Sequence, residues 1–356
     1  MLTQACTNES IRTPGNRVAG TLRERGDAFD GDRGRRARPR AAPRAGASRQ
    51  GVVSPGGGRA PGARPVSGAG LAALWGLLGA GLIGSSDCAA RWTTPRASLG
   101  ALFLAIMGLS TAALTALLWA TEGWPRWSPY GWSVSAASGA LNLVALAFLY
   151  SALARGPVAV ASPAASSFAA MLVGLNALAG AAVSPTALAA MALVFFGVVQ
   201  LARPDRSDLG RYDAAHLRVT ALLGLACALS VSLRMFLAQE AATDLDPLPA
   251  LYLNRVFATA GALLWVGWEA TRGELRAPAR AVWPVVLLQA TLETAALFAF
   301  LTGSAGEGRV AAAIGFATFP AFTAVAAWLA LGDPIGTRRV LWIGLVVAGA
   351  ALTAAA

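Results

Sequence analysis

The sequence predicts an all-α polytopic membrane protein: about ten transmembrane helices in two five-helix inverted repeats, behind a disordered N-terminal tail. Three observations predict it. Apolar stretches are long enough to cross a bilayer, charge is confined to the tail and to short loops, and one stretch of the chain repeats another.

Of the 356 residues, 56% are hydrophobic and only 13% charged, with a mean hydropathy of +0.55. A soluble domain of this size would need far more charged surface. The net charge of +11 is mostly the tail's, because residues 1–68 hold 13 of the 29 basic residues and 5 of the 18 acidic ones. Every basic residue is arginine. Cys6, Cys88 and Cys227 stand far apart, so neither a disulfide framework nor a Cys metal site is expected. The single histidine, His216, cannot build a His cluster.

The tail is rich in Arg, Pro and Gly, as in Arg33-Gly34-Arg35-Arg36-Ala37-Arg38-Pro39-Arg40 and Pro55-Gly56-Gly57-Gly58. Too few apolar groups are present to offset the entropy of ordering, so disorder and dispensability are expected. A start of translation near Val52 or Val66 is the alternative, and no nucleic-acid role is expected.

From the tail onward, ten segments are long and apolar enough to span: about 70–90, 99–120, 132–154, 158–180, 185–202, 217–238, 250–270, 281–303, 309–331 and 337–355. Breakers separate them, among them Pro95, Pro125, Pro129, Gly156-Pro157, Pro185, Pro204, Pro247, Pro278 and Gly332-Asp333-Pro334. Small residues at four-residue spacing, as in Gly76–Ala80–Gly84, allow close helix contact. Trp119, Trp124, Trp127, Trp132, Trp265, Trp268 and Trp283 fall near helix ends, where an indole meets both hydrocarbon and water.

Residues 141–180 align with 292–332, Asn142 matching Glu293. With five helices per half, the second copy must cross in the opposite sense, a transporter plan that places the site between the halves. The expected organisation is a tail (1–68), a first repeat (69–202), a connecting loop (203–216) and a second repeat (217–356).

Val310-Ala311-Ala312-Ala313, Phe319-Pro320-Ala321-Phe322-Thr323, Leu329-Ala330-Leu331-Gly332-Asp333-Pro334 and the run from Trp342 to Ala350 together resemble the drug/metabolite transporter superfamily, in its ten-helix branch with two EamA-type domains. Asp333 stands where that family usually has Glu, and residues 181–185 lack its acidic–basic turn. The resemblance implies cytoplasmic termini. Arginine placement argues the other way: odd-numbered loops hold twelve arginines and even-numbered loops only Arg126 and Arg309.

An ionisable group inside a spanning helix costs about 2.5–3.5 kcal/mol on insertion scales, so it needs a partner or a wet cavity. Glu293 is the clearest case, with Gln289 one turn before it on the same face. Asn142, its repeat counterpart, shares a face with Ser138, and Arg234 shares one with Ser230. Arg234 and Glu293 differ in depth by roughly 9 Å, which two extended side chains could span. Arg234 and Arg255 lie nearer helix ends, where snorkelling to the interface is an equal alternative. The candidate substrate pathway is therefore Glu293, Asn142, Gln289, Ser138, Arg234 and Ser230, with Glu293 the candidate proton-linked residue.

Neither a GxxxxGK[ST] loop nor HExxH occurs, so no ATP-driven pumping, catalytic site, metal or cofactor is expected. The resemblance implies a secondary transporter of a small metabolite, an exporter, in a bacterial plasma membrane. Non-transporting scaffold and membrane-embedded lipid enzyme are the alternatives. Expected partners are a substrate of unread identity and membrane lipids, with a homodimer left open.

Overall fold

A computed structural model of the chain describes residues 68–155, 164–201, 213–331 and 337–355. The tail, the loop at 202–212 and the Gly332-Asp333-Pro334 turn lie outside the described residues.

The described residues are helical, with no strand among them. In chain order the helices are α1 (Gly68–Thr93), α2 (Leu99–Thr121), α3 (Pro129–Arg155), α4 (Phe168–Leu178), α5 (Pro185–Leu201), α6 (Ala214–Leu245), α7 (Pro247–Thr271), α8 (Trp283–Gly303), α9 (Arg309–Phe316), α10 (Phe319–Leu331) and α11 (Thr337–Ala355). They have no polar stripe. Leu78, Leu222, Leu264, Leu288 and Leu329 stand exposed, as side chains facing lipid tails would.

Six helices are long and apolar enough to cross a membrane. They become seven if the pair at Gly306–Phe316 and Phe319–Ala330, bent by 43°, is one span. That is fewer than the ten expected from sequence. The difference lies in three shorter apolar helices, Ala164–Leu178, Pro185–Gln200 and Val340–Gly349. The bend has a local cause. Pro320 has no N–H to give, and its ring would strike the carbonyl four residues back, so the helix cannot run straight through. Thr318 covers the break by donating to the Gly315 carbonyl at 2.7 Å.

α3 runs antiparallel to α6 and α1 to α8, whereas α3 and α7 run parallel. Along α3 and α6, Gly131 lies against Leu245, Ser138 against Arg234, and the Arg155 carbonyl against the His216 ring. Along α1 and α8, Gly303 meets the start of α1 and Thr93 meets Gln289. Further pairings are α2 with α7, α3 with α7, α2 with α8, α5 with α11, α4 with α6, and α1 with α9 and α10. Two glycines illustrate the close approaches between helices. A Cβ on Gly84 would stand 2.7 Å from the Thr323 nitrogen, and one on Gly139 would stand 2.9 Å from the Asn254 carbonyl oxygen. Phe168, Phe300, Phe316 and Phe319 stack in succession and fill the space between α4, α8, α9 and α10.

α6 runs to Leu245, seven residues past the expected end at 238. Glu240, Thr243 and Asp244 look like loop residues in sequence, but each finds a partner outside α6. Asp246 alone connects α6 to α7, at φ 72 and ψ 158, and Pro247 starts the next helix. Of the predicted interfacial tryptophans, Trp119, Trp124, Trp127, Trp268 and Trp283 are exposed, whereas Trp132 and Trp265 are partly buried.

Candidate functional site

Midway along α3 an asparagine interrupts an apolar helix: Asn142 is the fourteenth of its 27 residues. Its Oδ1 accepts a hydrogen bond of 2.6 Å from Nη1 of Arg234 on α6. One turn earlier, Ser138 donates to the Arg234 carbonyl at 2.8 Å and accepts from Nδ2 of Asn254 on α7, also at 2.8 Å. The close approach at Gly139 brings the α7 backbone near enough for this bond. Three helices are thus tied together by short polar side chains at one depth.

Arg255 follows Asn254 and is 1% exposed, the largest fully buried side chain among the described residues. Its Nη1 lies 2.9 Å from the Met107 sulfur on α2, and its Nε has no partner. Thr259 donates to the Arg255 carbonyl at 2.7 Å and meets Thr111 of α2 at 2.9 Å. Glu293 is partly buried near the middle of α8, the eleventh of 21 residues. It makes no hydrogen bond or ion pair with the described residues. Its charge nevertheless acts on both Arg234 and Arg255, and the two guanidinium groups repel one another. Beside Glu293, Thr294 donates to Ser110 of α2 at 2.7 Å.

The structure therefore brings Asn142, Ser138 and Arg234 into one bonded group, with Glu293 in its electrostatic reach. Gln289 and Ser230 are elsewhere engaged. Gln289 accepts from Thr93 at 3.2 Å, and Ser230 donates to the Ala226 carbonyl of its own helix at 2.8 Å. The snorkelling alternative is not what is seen for Arg255. It is the ninth residue of a 25-residue helix, and its head points into the protein. Asn254 belongs to the bonded group and Arg255 lies in its electrostatic reach, although the sequence-based pathway left both out. The signal was there, since adjacent amide and guanidinium side chains interrupt an otherwise apolar run.

A second polar group closes the end of the bundle where α3 begins and α6 and α8 finish. Asn176 of α4 donates to Gln239 at 3.0 Å, and Gln239 donates to Ser304 at 3.0 Å. Beyond it Arg309 pairs with Glu240 and donates to Thr243 at 2.6 Å, and Tyr130 donates to Glu240 at 2.8 Å. At the opposite end buried Glu269 accepts from Ser98 Oγ at 2.6 Å and from the Gly100 N–H at 2.8 Å, capping α2 from another helix. A cleft of about 560 Å³ opens there, beside Thr94, Ser98, Glu269, Glu274 and Arg276, away from the central group.

Residues 218–355 match the EamA-like transporter family. The match takes in Arg234, Asn254, Arg255 and Glu293. No curated protein sequence matches the chain. A solved structure described only as "Crystal structure of protein" shares the fold, with a TM-score of 0.63 and 18% identity over 79% of this chain and 95% of that one.

Proposed function

We propose that this integral membrane protein, whose residues 218–355 belong to the EamA-like transporter family, is a secondary transporter that exports a small metabolite across a bacterial plasma membrane. The observation that carries the reading is the polar centre. Asn142 and Ser138 come from the first half of the chain and bond to Arg234 and Asn254 from the second, with Arg255 and Glu293 in electrostatic reach, inside an apolar bundle. Such groups are costly in a membrane, and their retention there points to a solute or ion path.

The halves are residues 69–202 and 217–356, joined by 203–216, with five helices each and ten crossings in all. Helix pairing supports this. Exchange α1 to α5 for α6, α7, α8, the bent α9–α10 pair and α11. The pairing of α3 with α6 then becomes that of α8 with α1, and α3 with α7 becomes α8 with α2. The pairings of α2 with α7 and of α5 with α11 map onto themselves. With an odd number of helices per half, this exchange inverts the second half in the membrane. Rocking one half against the other would expose the centre to each side in turn. Glu293, with no hydrogen-bond partner among the described residues, is the group available to carry a proton.

The test is Glu293→Gln, which keeps the shape and removes the charge. Transport is abolished or uncoupled while membrane abundance stays near normal. Normal flux at normal abundance overturns the assignment.

A further inference from the structure

We infer that the solute taken by the central site carries a carboxylate, bound by Arg255 and Arg234; the inference rests on the transport reading above. The argument starts from charge. Among the described residues, Arg234 and Arg255 both feel the charge of Glu293 and neither makes an ion pair. The centre therefore holds one positive charge in excess, in a place where an uncompensated charge is expensive.

Hydrogen bonding points the same way. Among the described residues the Arg255 head meets only the Met107 sulfur, a weak acceptor, and its Nε is buried with no partner. The Asn142 Nδ2 donor is also buried without a partner. Arg234 Nη1 meets a neutral amide oxygen rather than an anion. The donors left over, Arg255 Nε and Asn142 Nδ2, stand beside the unpartnered acceptors Asn254 Oδ1 and Glu293, so it is the excess positive charge that decides which solute fits. A planar two-oxygen anion is the complementary chemistry, because a guanidinium presents parallel N–H groups at the carboxylate spacing. A cation would leave both the charge and the donors uncompensated, and a neutral solute would leave the charge.

Retaining a mismatched charge costs the unliganded protein stability, and that separates a binding role from a structural one. The experiment is thermal unfolding of the purified full-length chain in detergent, with sodium acetate as the probe. Sodium chloride at equal ionic strength and the neutral isostere acetamide serve as controls. At acetate well above its dissociation constant, the wild type gains about 2 °C over both controls. Arg255→Gln loses that gain, and its own midpoint without acetate is no lower than the wild type's. Should Arg255→Gln fail to accumulate, Arg255→Lys carries the test. It keeps the charge but not the fork, and the gain falls by more than half. Equal midpoints in acetate and chloride for the wild type, or an undiminished gain in either variant, overturn the inference. Solute flux in proteoliposomes separates this failure from that of the transport reading. A protein that moves only cations or neutral solutes and ignores acetate keeps the transport reading and removes the carboxylate. One that responds to acetate through Arg255 but moves nothing removes the transport reading.

Discussion

The two charged regions of this molecule are built on opposite rules. At the end of the bundle, Arg309 has Glu240, Thr243 completes its coordination, and Arg126 faces Asp244 at 3.8 Å. Each guanidinium there has a carboxylate. In the middle, Arg234 and Arg255 share Glu293 without an ion pair, and Arg255 rests on a thioether. Electrostatic cost runs the other way: a mismatch is cheap near water and expensive in the interior. The region where a mismatch costs most is the one that keeps it, as the proposed transport site requires.

Breaking the centre gives the largest effect. Arg234→Ala removes a charged donor and strands Asn142, so flux at equal abundance falls about a hundredfold, the equivalent of roughly 2.7 kcal/mol. Counterflow in proteoliposomes measures it, and a loss under threefold would place Arg234 outside the path. Next comes the geometry that assembles the centre. Gly139→Leu drives a side chain into Phe257 and the Asn254 backbone and costs about 1–3 kcal/mol of stability, read as a lower unfolding midpoint. Gly108 has nothing within 4 Å of a Cβ, and Gly108→Ala leaves the midpoint unchanged or slightly raised.

The paired end responds less. Glu240→Gln costs about 1 kcal/mol or less, because both side chains of the pair retain some exposure, and raising the salt concentration shrinks the difference. The charge-swapped double variant Glu240→Arg with Arg309→Glu recovers most of that loss. Smallest is Arg126→Gln. With Arg126 68% exposed, it shifts stability by no more than about 0.5 kcal/mol. If the end variants abolished flux as completely as Arg234→Ala, the contrast between the regions would dissolve.

Much of the architecture was legible because bilayer thickness writes itself into sequence as length and apolarity. Every expected span overlaps an observed helix or helix pair. What escaped was what depends on distant partners. Pro320 was visible, yet the surrounding apolar run read as one span, because hydropathy is blind to a bend. Glu240 and Asp244 looked like loop residues, since Arg309 and Arg126, which hold them in α6, lie far away in the sequence. Arg255 looked near a helix end for the same kind of reason. Its burial follows from the packing of α7 on α2 at Met107, and nothing near Arg255 in sequence announces that contact. Asn142 was marked by the repeat as the counterpart of Glu293, but its partner is Arg234, a choice made by the tight α3–α6 pairing.

The central claim is that the buried polar centre lies on an aqueous path opened by conformational change. Thiol accessibility tests it most directly. With Cys6, Cys88 and Cys227 replaced, single cysteines are placed at Asn142 in the centre and at Val173, a buried residue of the apolar core on α4. In native membranes, a charged membrane-impermeant maleimide labels Asn142→Cys and leaves Val173→Cys unmodified. Labelling of neither position, or of both at the same rate, contradicts the account.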